Sequence, residues 1–278
     1  MWDSTFMIPV LFKIGPLTIY SYGAALVAAF YTTYFLLSRD LKRLNYDDKL
    51  ASDMIFSAAL GGILGAKIYY LMENFGRVLD DPTGMIFSGS GLVFLGGLMG
   101  GTLGVTIVLR QNKLPWLIFA DIVAPLLILG YAIGRVGCLL VGDDYGLPTH
   151  LPWGLTFENG LPATSYANFA LYYPWIDLTG FEPGWLKVHP TQLYETLAGL
   201  GIFTFLWRKR KNVKITGSLF FTYLVFAGTE RFLIEFLRTN EKYLFQMFSG
   251  AQVISMIMIL IGTYFLFHPF KQDEELGT

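Results

Sequence analysis

The sequence predicts an all-α integral membrane protein of about seven transmembrane helices, with an interfacial extracytoplasmic arm between the fourth and fifth helices. Composition is the first reason: 54% of the residues are hydrophobic and only 15% are charged, whereas soluble domains carry about 25% charged residues. The apolar residues also form long runs, and about 20 apolar residues cross the hydrocarbon core as a helix. Finally, Lys and Arg residues are dense in every second loop, as in multi-pass membrane proteins.

Seven apolar runs are the predicted spans, and we expect residues 1–278 to form a single polytopic membrane domain. A very apolar soluble enzyme is the alternative, which the length of the runs disfavours. Glycines crowd the second and third runs, and small residues let membrane helices pack closely. The predicted spans are Thr18–Leu37, Ser52–Met72, Gly91–Leu109, Trp116–Val136, Gln192–Trp207, Gly217–Leu237 and Ala251–Phe267.

The segment Gly137–Thr191, between the fourth and fifth predicted spans, differs from the rest of the chain. It contains repeated prolines, many Trp, Tyr and Phe residues, and few charges. Aromatic side chains favour the headgroup level of a membrane. The segment is therefore predicted to be an arm on the membrane surface, with an ordinary folded loop as the alternative.

The positive charges predict the orientation. One set of alternate loops, with the C-terminal tail, holds twelve Lys and Arg residues, and the opposite set holds five. Cytoplasmic loops carry the excess of positive charge, so the N-terminus is predicted outside and the C-terminus in the cytoplasm. The net charge of −1 gives no indication of a nucleic-acid partner.

Ionisable side chains are predicted to gather in the outer half of the membrane. Charged groups are costly in hydrocarbon and by default indicate function. Arginine binds phosphate through a planar fork, so a cationic pocket at headgroup depth suits an anionic phospholipid. Snorkelling membrane anchors are the alternative, and Arg231 with Glu235 is also consistent with a plain i,i+4 ion pair. The side chains at this depth are Tyr22, Lys67, Arg135, His189, Glu195, Arg231 and Glu235.

Four short motifs then give a family resemblance. They are IGPLTIYSYG at Ile14–Gly23, GRVGCLLVGDDYG at Gly134–Gly146, HPTQLYE at His189–Glu195 and ERFLIEFLR at Glu230–Arg238. In this order, they resemble the motifs of bacterial prolipoprotein diacylglyceryl transferases over Ile14–Gly262. The family's functional tyrosine matches Tyr22, its essential arginine matches Arg135, and its functional Arg–Glu pair matches Arg231 and Glu235.

The sequence departs from the family pattern at several positions. Leu95 replaces a histidine before paired glycines, and Ala227 replaces a tyrosine. Cys138 and Val141 replace the two signature asparagines, and Asp143, followed by Asp144, replaces the signature glutamate. The chain therefore resembles a divergent member of the family. Cys138 is interpreted as a small buried apolar residue rather than a nucleophile.

The resemblance implies a reaction. The family transfers the sn-1,2-diacylglyceryl group of phosphatidylglycerol to the lipobox cysteine thiol in the signal peptide of a preprolipoprotein, releasing glycerol 1-phosphate during lipoprotein biosynthesis. No metal or organic cofactor is implied. The expected partners are phosphatidylglycerol, the preprolipoprotein and membrane lipids. The expected location is the bacterial cytoplasmic (inner) membrane, with the active site facing the outer leaflet and the arm periplasmic.

The site residues follow from depth, charge and resemblance together. The predicted catalytic residues are Arg135, Arg231, His189 and Asp143. The predicted substrate-binding residues are Tyr22, Lys67, Arg135, Asp144, Glu195, Arg231 and Glu235.

The general base stays open among His189, Asp143, Asp144 and Glu195, although histidine has the suitable unperturbed pKa. Two other functions are also open. One is a paralogue with the same lipid donor and another acceptor. The other is a non-catalytic lipid-binding or transport protein, although the sequence shows no inverted repeat.

Overall fold

The computed structural model describes residues 7–15, 17–88, 93–244 and 247–270. The described chain is mostly helical, with a short two-stranded sheet of β1 (Val10–Ile14) and β2 (Leu17–Tyr20) near its start. The helices are Ser21–Arg43 (α1), Lys49–Glu73 (α2), Phe75–Asp80 (α3), Pro82–Phe87 (α4), Phe94–Gln111 (α5), Trp116–Val141 (α6), Tyr166–Tyr172 (α7), Thr191–Lys209 (α8), Ser218–Ile234 (α9) and Gly250–Phe267 (α10).

Every predicted span overlaps a helix, in the order α1, α2, α5, α6, α8, α9 and α10. Among the described residues, three helices are long and apolar enough to cross a membrane, namely α2, α6 and α10. The count of seven spans therefore stays a prediction. The predicted start of the third span at Gly91 lies outside the described residues.

The sheet is a correction to the all-α prediction. β1 and β2 pair antiparallel, with Val10 opposite Tyr20, and Gly15 in the turn has a φ of 58°. The first helix begins at Ser21, so the prediction that it starts at Thr18 is wrong. The error arose because a short apolar run next to a helix reads equally well as strand or helix.

The described residues divide into two compact units, one within Met1–Thr33 and Ala120–Thr278 and the other within Tyr34–Phe119. The second unit is organised around close packing of α2 and α5. A Cβ atom added to Gly65 would collide with the carbonyl oxygen of Gly96. The predicted close contact of these glycine-rich helices is confirmed.

The first unit contains the long helices α6, α8, α9 and α10, together with the start of α1 and the short helix α7. A buried apolar cluster joins three of these helices, and Gly228 of α9 lies against the carbonyl of Ser255 in α10. A Cβ atom at Gly228 would stand 2.9 Å from that oxygen, so the glycine sets how closely these helices pack. The buried cluster consists of Ile128, Leu206, Leu219 and Ala227.

Residues 142–190, called here the head segment, form a folded region between α6 and α8. It starts later than predicted because α6 continues to Val141, so Gly137–Val141 is helix. The head segment has its own buried core of Tyr145, Phe157, Phe169, Leu186 and Val188.

Main-chain hydrogen bonds fix the head segment at the ends of two helices. The amide of Gly146 donates to the carbonyl of His189 at 2.9 Å, just before α8. The amide of Leu147 donates to the carbonyl of Leu237 at 2.7 Å, just after α9. The loop that follows α6 is thereby held beside residues of the HPTQLYE and ERFLIEFLR motifs.

Candidate functional site

Three arginines and three carboxylates converge in the first unit. Arg135 comes from α6 and Arg231 from α9, whereas Arg238 follows the short 3₁₀ turn Glu235–Leu237. The carboxylates come from the head segment, from α8 and from the 3₁₀ turn, and are Asp144, Glu195 and Glu235.

Asp144 joins two of the arginines. Its Oδ2 lies 2.7 Å from Nη1 of Arg135, and its Oδ1 lies 2.7 Å from Nη2 of Arg238. Asp144 adopts a left-handed backbone conformation with a φ of 59°, which aspartate tolerates better than most residues. Burial alone would raise the pKa of Asp144, but Arg238 and Arg135 outweigh burial and lower it.

Glu195 lies at the centre of the group, with a fully buried side chain. Its Oε2 lies 3.3 Å from Nε of Arg135 and 3.5 Å from Nη1 of Arg238, and its Oε1 lies 3.8 Å from Nη1 of Arg231. The hydroxyl of Tyr131 donates a 2.8 Å hydrogen bond to Oε1, and the Arg135 guanidinium lies over the Tyr131 ring. Glu195 therefore contacts all three arginines.

Glu235 contacts the same Nη1 nitrogen of Arg231 as Glu195 does, and more closely. Its Oε2 lies 2.7 Å from Nη1 of Arg231, while its Oε1 accepts hydrogen bonds from Ser249 at 2.6 Å and Asn240 at 2.7 Å. Removing one partner of such a buried pair is costly because the other charge is left uncompensated. Arg231 and Glu235 thus form an i,i+4 ion pair, and the pair belongs to a network rather than standing alone.

Arg135 and Arg231 are partly exposed, whereas Arg238 is buried. Exposed fractions are 15% for Arg135, 23% for Arg231 and 6% for Arg238. Within the described part of the chain, Nη1 of Arg231 and Nη1 of Arg238 have no well-aligned hydrogen-bond acceptor. The cluster is charge-balanced, unlike the cationic pocket that the sequence predicts, but it retains buried donors suited to another anionic oxygen.

Asp143 differs from its neighbour Asp144. Its Oδ1 is buried and finds no hydrogen-bond partner within the described ranges, while its main-chain carbonyl accepts a 2.6 Å bond from Gln192. Burial, followed by the charge of Asp144, raises the pKa of Asp143. The Sγ of Cys138 lies 3.8 Å from Nη1 of Arg135, and Cys138 is buried, as interpreted from the sequence.

His189 has its main polar contact elsewhere. Its Nδ1 lies 3.5 Å from the hydroxyl of Tyr194, whose oxygen accepts a 2.8 Å hydrogen bond from the Trp153 indole. Burial lowers the pKa of His189, so the imidazole is neutral at neutral pH. No contact recorded for the described residues joins this ring to the arginine cluster.

The two other predicted residues occupy different places. Tyr22 lies in the first turn of α1 and packs over Gly137, where a Cβ atom would stand 3.3 Å from the tyrosine ring. This contact brings Tyr22 beside α6 two residues beyond Arg135. Lys67 lies in the second unit and donates to the carbonyl and hydroxyl oxygens of Ser88 at 3.0 and 2.9 Å. In the described chain, no group of three His, Cys, Asp or Glu side chains forms a metal site.

Comparison with known proteins places these residues in a family. The model of the prolipoprotein diacylglyceryl transferase family matches residues 9–268. The chain belongs to this family. A phosphatidylglycerol–prolipoprotein diacylglyceryl transferase of Clostridium tetani is 32% identical over 93% of this chain and 96% of its own length. The phosphatidylglycerol–prolipoprotein diacylglyceryl transferase of Geobacter sulfurreducens is 34% identical over 91% of this chain and 92% of its own length. Phosphatidylglycerol–prolipoprotein diacylglyceryl transferase 2 of Clostridium perfringens is 35% identical over 96% and 98%.

Membership makes the chain a membrane-bound transferase of lipoprotein biosynthesis. Sequence reasoning missed two members of the cluster, Arg238 and Tyr131. Arg238 was counted among the loop cations, although it ends the ERFLIEFLR motif three residues after Glu235. Tyr131 lies one turn before Arg135 on α6, and its position relative to Glu195 depends on the packing of α6 with α8.

Proposed function

We propose that this chain transfers the sn-1,2-diacylglyceryl group of phosphatidylglycerol to the lipobox cysteine of a preprolipoprotein. The convergence of Arg135 and Arg231 on Glu195 from two different helices carries the proposal. Two partly exposed arginine side chains that meet at one carboxylate suit a phosphate diester, because a guanidinium fork offers paired N–H donors to phosphate oxygens.

The reaction is a displacement at carbon. The lipobox thiol loses its proton, and the thiolate attacks the glycerol carbon that bears the phosphate, because the thiolate is the nucleophilic form. A carbon–sulfur bond forms as the carbon–oxygen bond breaks, and its electron pair leaves with glycerol 1-phosphate. The leaving phosphate gains one negative charge, and arginines fixed before the reaction stabilise that charge.

The carboxylates hold the arginines for this task. Asp144 holds Arg135 at Nη1, Glu195 lies at its Nε, and Glu235 holds Arg231. Guanidinium groups held this way need little reorganisation when the phosphate charge develops. Tyr22, beside α6, supplies a hydroxyl for the lipid headgroup.

Asp143 is the proposed acceptor of the thiol proton. Its carboxylate has a raised pKa and a buried oxygen without a hydrogen-bond partner in the described chain. A base works best when its pKa approaches the operating pH. His189 instead contacts Tyr194, which favours a positioning role for the HPTQLYE motif.

The membrane arrangement is part of the same proposal. It comprises one polytopic domain with seven spans, an outside N-terminus, a cytoplasmic C-terminus and the head segment at the periplasmic interface. The charge asymmetry of the loops supports the orientation. The exposed Trp153, Trp175 and Trp185 of the head segment support an interfacial position, since tryptophan favours that level. The cluster then faces the outer leaflet.

Transfer in vitro tests the function. Purified protein is mixed with a lipobox peptide and vesicles of either phosphatidylglycerol or phosphatidylethanolamine, and the peptide is analysed by mass spectrometry. We expect the diacylglyceryl mass increase with phosphatidylglycerol alone. Equal transfer from both lipids would refute selection of an anionic donor.

A different acceptor is the second candidate. Leu95, Cys138 and Val141 replace polar residues of the family pattern, which changes the surroundings of an incoming thiol. Donor cleavage distinguishes the candidates, because release of glycerol 1-phosphate with a non-lipobox thiol but not with the lipobox peptide would favour the paralogue. Bound phosphatidylglycerol without release would favour a non-catalytic lipid-binding protein.

A further inference from the structure

Asp121 links the two helices that carry Arg135 and Arg231. It lies on the second turn of α6, and its side chain is buried. Its Oδ2 accepts a hydrogen bond from the amide of Gly217 at 2.6 Å, and its Oδ1 accepts one from the amide of Phe220 at 2.8 Å. These amides belong to the start of α9, so a carboxylate of one helix caps the N-terminus of another.

The start of α9 depends on this external cap. Gly217 occupies the N-cap position with a φ of 87°, and it has no side chain with which to accept a hydrogen bond. The first amides of a helix have no partner within the helix and need an acceptor. A carboxylate there also interacts favourably with the positive end of the helix dipole.

The spacing between this cap and the arginines is the same on both helices. Arg135 follows Asp121 by fourteen residues on α6, and Arg231 follows Gly217 by fourteen residues along α9. At 1.5 Å per residue, each arginine lies about 21 Å along its helix from the cap. The second turn of α6 meets the start of α9 at the cap, and the arginines of the two helices meet at Glu195. α6 and α9 therefore run parallel. They are linked at two levels, the cap and Glu195, and the same number of residues separates these levels on each helix.

We propose that Asp121 is a positioning residue that sets the axial register of α9 against α6 and thereby the spacing of Arg135 and Arg231. This inference rests on the proposed function, in which both arginines hold one phosphate. A slip of one residue moves Arg231 by about 1.5 Å along the helix. A misplacement of about 1 Å at a reacting centre can cost 100-fold in rate.

The test uses three variants of the full-length protein in phosphatidylglycerol nanodiscs. Asp121→Asn replaces one acceptor oxygen by a donor amide that faces a backbone N–H. Asp121→Glu keeps both acceptors but places them one methylene further out. Leu219→Ala is the matched control, because it removes buried apolar contact near the start of α9 and leaves the cap in place. Thermal unfolding, kcat and KM are measured for each.

We expect kcat per folded enzyme to fall at least tenfold in Asp121→Asn and Asp121→Glu, with KM for the lipobox peptide unchanged. Leu219→Ala lowers the melting temperature by a similar or larger amount and keeps the wild-type kcat. If all three variants lose stability but keep kcat, Asp121 stabilises the fold only and the inference is wrong.

A distance measurement separates this inference from the proposed function. Spin labels on cysteines at the exposed positions Val136 and Leu233, in a Cys138→Ser background, report the separation of α6 and α9 near the arginines. We expect a narrow distance distribution that shifts or broadens in Asp121→Asn but not in Leu219→Ala. An unchanged distribution in Asp121→Asn overturns the register role even if transfer is active, while an inactive wild-type enzyme with the expected shift overturns only the proposed function.

Discussion

Asp144 reaches Arg135 across nine residues of sequence and holds its Nη1 at 2.7 Å, while the opposite oxygen of the same carboxylate holds Arg238 at 2.7 Å. The loop after α6 thereby closes over the end of its own helix and ties it to the segment after α9. Arg135 is held by this carboxylate on one side and by Glu195 on the other. These two carboxylates therefore orient the Arg135 guanidinium before a phosphate binds.

Asp144→Asn removes the charge but keeps the shape, and asparagine also tolerates the left-handed backbone. We expect kcat/KM to fall roughly tenfold, which corresponds to about 1.4 kcal/mol, because both arginines lose an oriented partner. Steady-state kinetics with phosphatidylglycerol measure this effect. A variant with wild-type kinetics would show that Asp144 does not orient the arginines.

The stability of the same pair depends on pH in a defined direction. The folded-state pKa of Asp144 is lowered, so its ionised form stabilises the fold above the ordinary aspartate pKa. That stabilisation is lost as the pH falls through the lowered pKa. Thermal unfolding in the acid range should therefore show a larger stability loss in wild type than in Asp144→Asn. Parallel pH curves for the two proteins would contradict the assignment.

The sequence could predict the convergence of Arg135, Arg231, Glu195 and Glu235 because their depth followed from helix length and loop charge. It could not predict which of two adjacent carboxylates would face the arginines. Asp144 does so where the chain turns left-handed with a φ of 59°, a conformation that the residue type alone does not specify.

The sequence also could not predict the places of Arg238 and His189, since Arg238 joins the cluster and His189 has its contact elsewhere. Arg238 lies beyond the predicted end of its span, and a 3₁₀ turn returns it to the cluster. The depth of His189 suggests a base, but side-chain direction depends on local packing, and the ring contacts Tyr194 instead. The sequence does not predict the two-stranded sheet, because Leu17–Tyr20 leads into α1 without a charged residue or a proline.

Arginine substitutions test the phosphate contact. A charge-assisted hydrogen bond contributes about 1.5–3 kcal/mol, so Arg135→Ala and Arg231→Ala should each slow transfer by about 10- to 150-fold. Arg→Lys should recover only part of the rate, because a point charge does not reproduce the planar fork. Circular dichroism and melting temperature control for folding. Near-wild-type turnover in folded Arg135→Ala would show that transfer does not need Arg135, and would refute the proposed phosphate contact.

Gly146 is predicted to tolerate no side chain. A Cβ atom there would collide with the carbonyl oxygen of Leu237 and stand 2.9 Å from Cβ of His189. Gly146→Ala should lower the free energy of unfolding by about 1–3 kcal/mol, as overpacking does. Gly201→Ala is the matched control, since nothing lies within 4 Å of an added Cβ on α8. Equal melting temperatures in the two variants would show that the junction of the head segment with α9 accommodates an added methyl group.

The identity of the base is decided by comparing Asp143→Asn with His189→Ala. Burial and Asp144 raise the pKa of Asp143, so its ionised, proton-accepting form disappears on acidification at a higher pH than for an ordinary aspartate. Wild-type kcat/KM should therefore decline toward acid pH, starting above the range of an unperturbed aspartate.

Asp143→Asn should lose most activity together with this acid-side decline of the profile, because an amide accepts no proton. His189→Ala should keep the shape of the profile, since its ring contacts Tyr194 and its pKa is lowered by burial. Loss of the acid-side decline in His189→Ala, with the decline intact in Asp143→Asn, would transfer the role of base to the histidine.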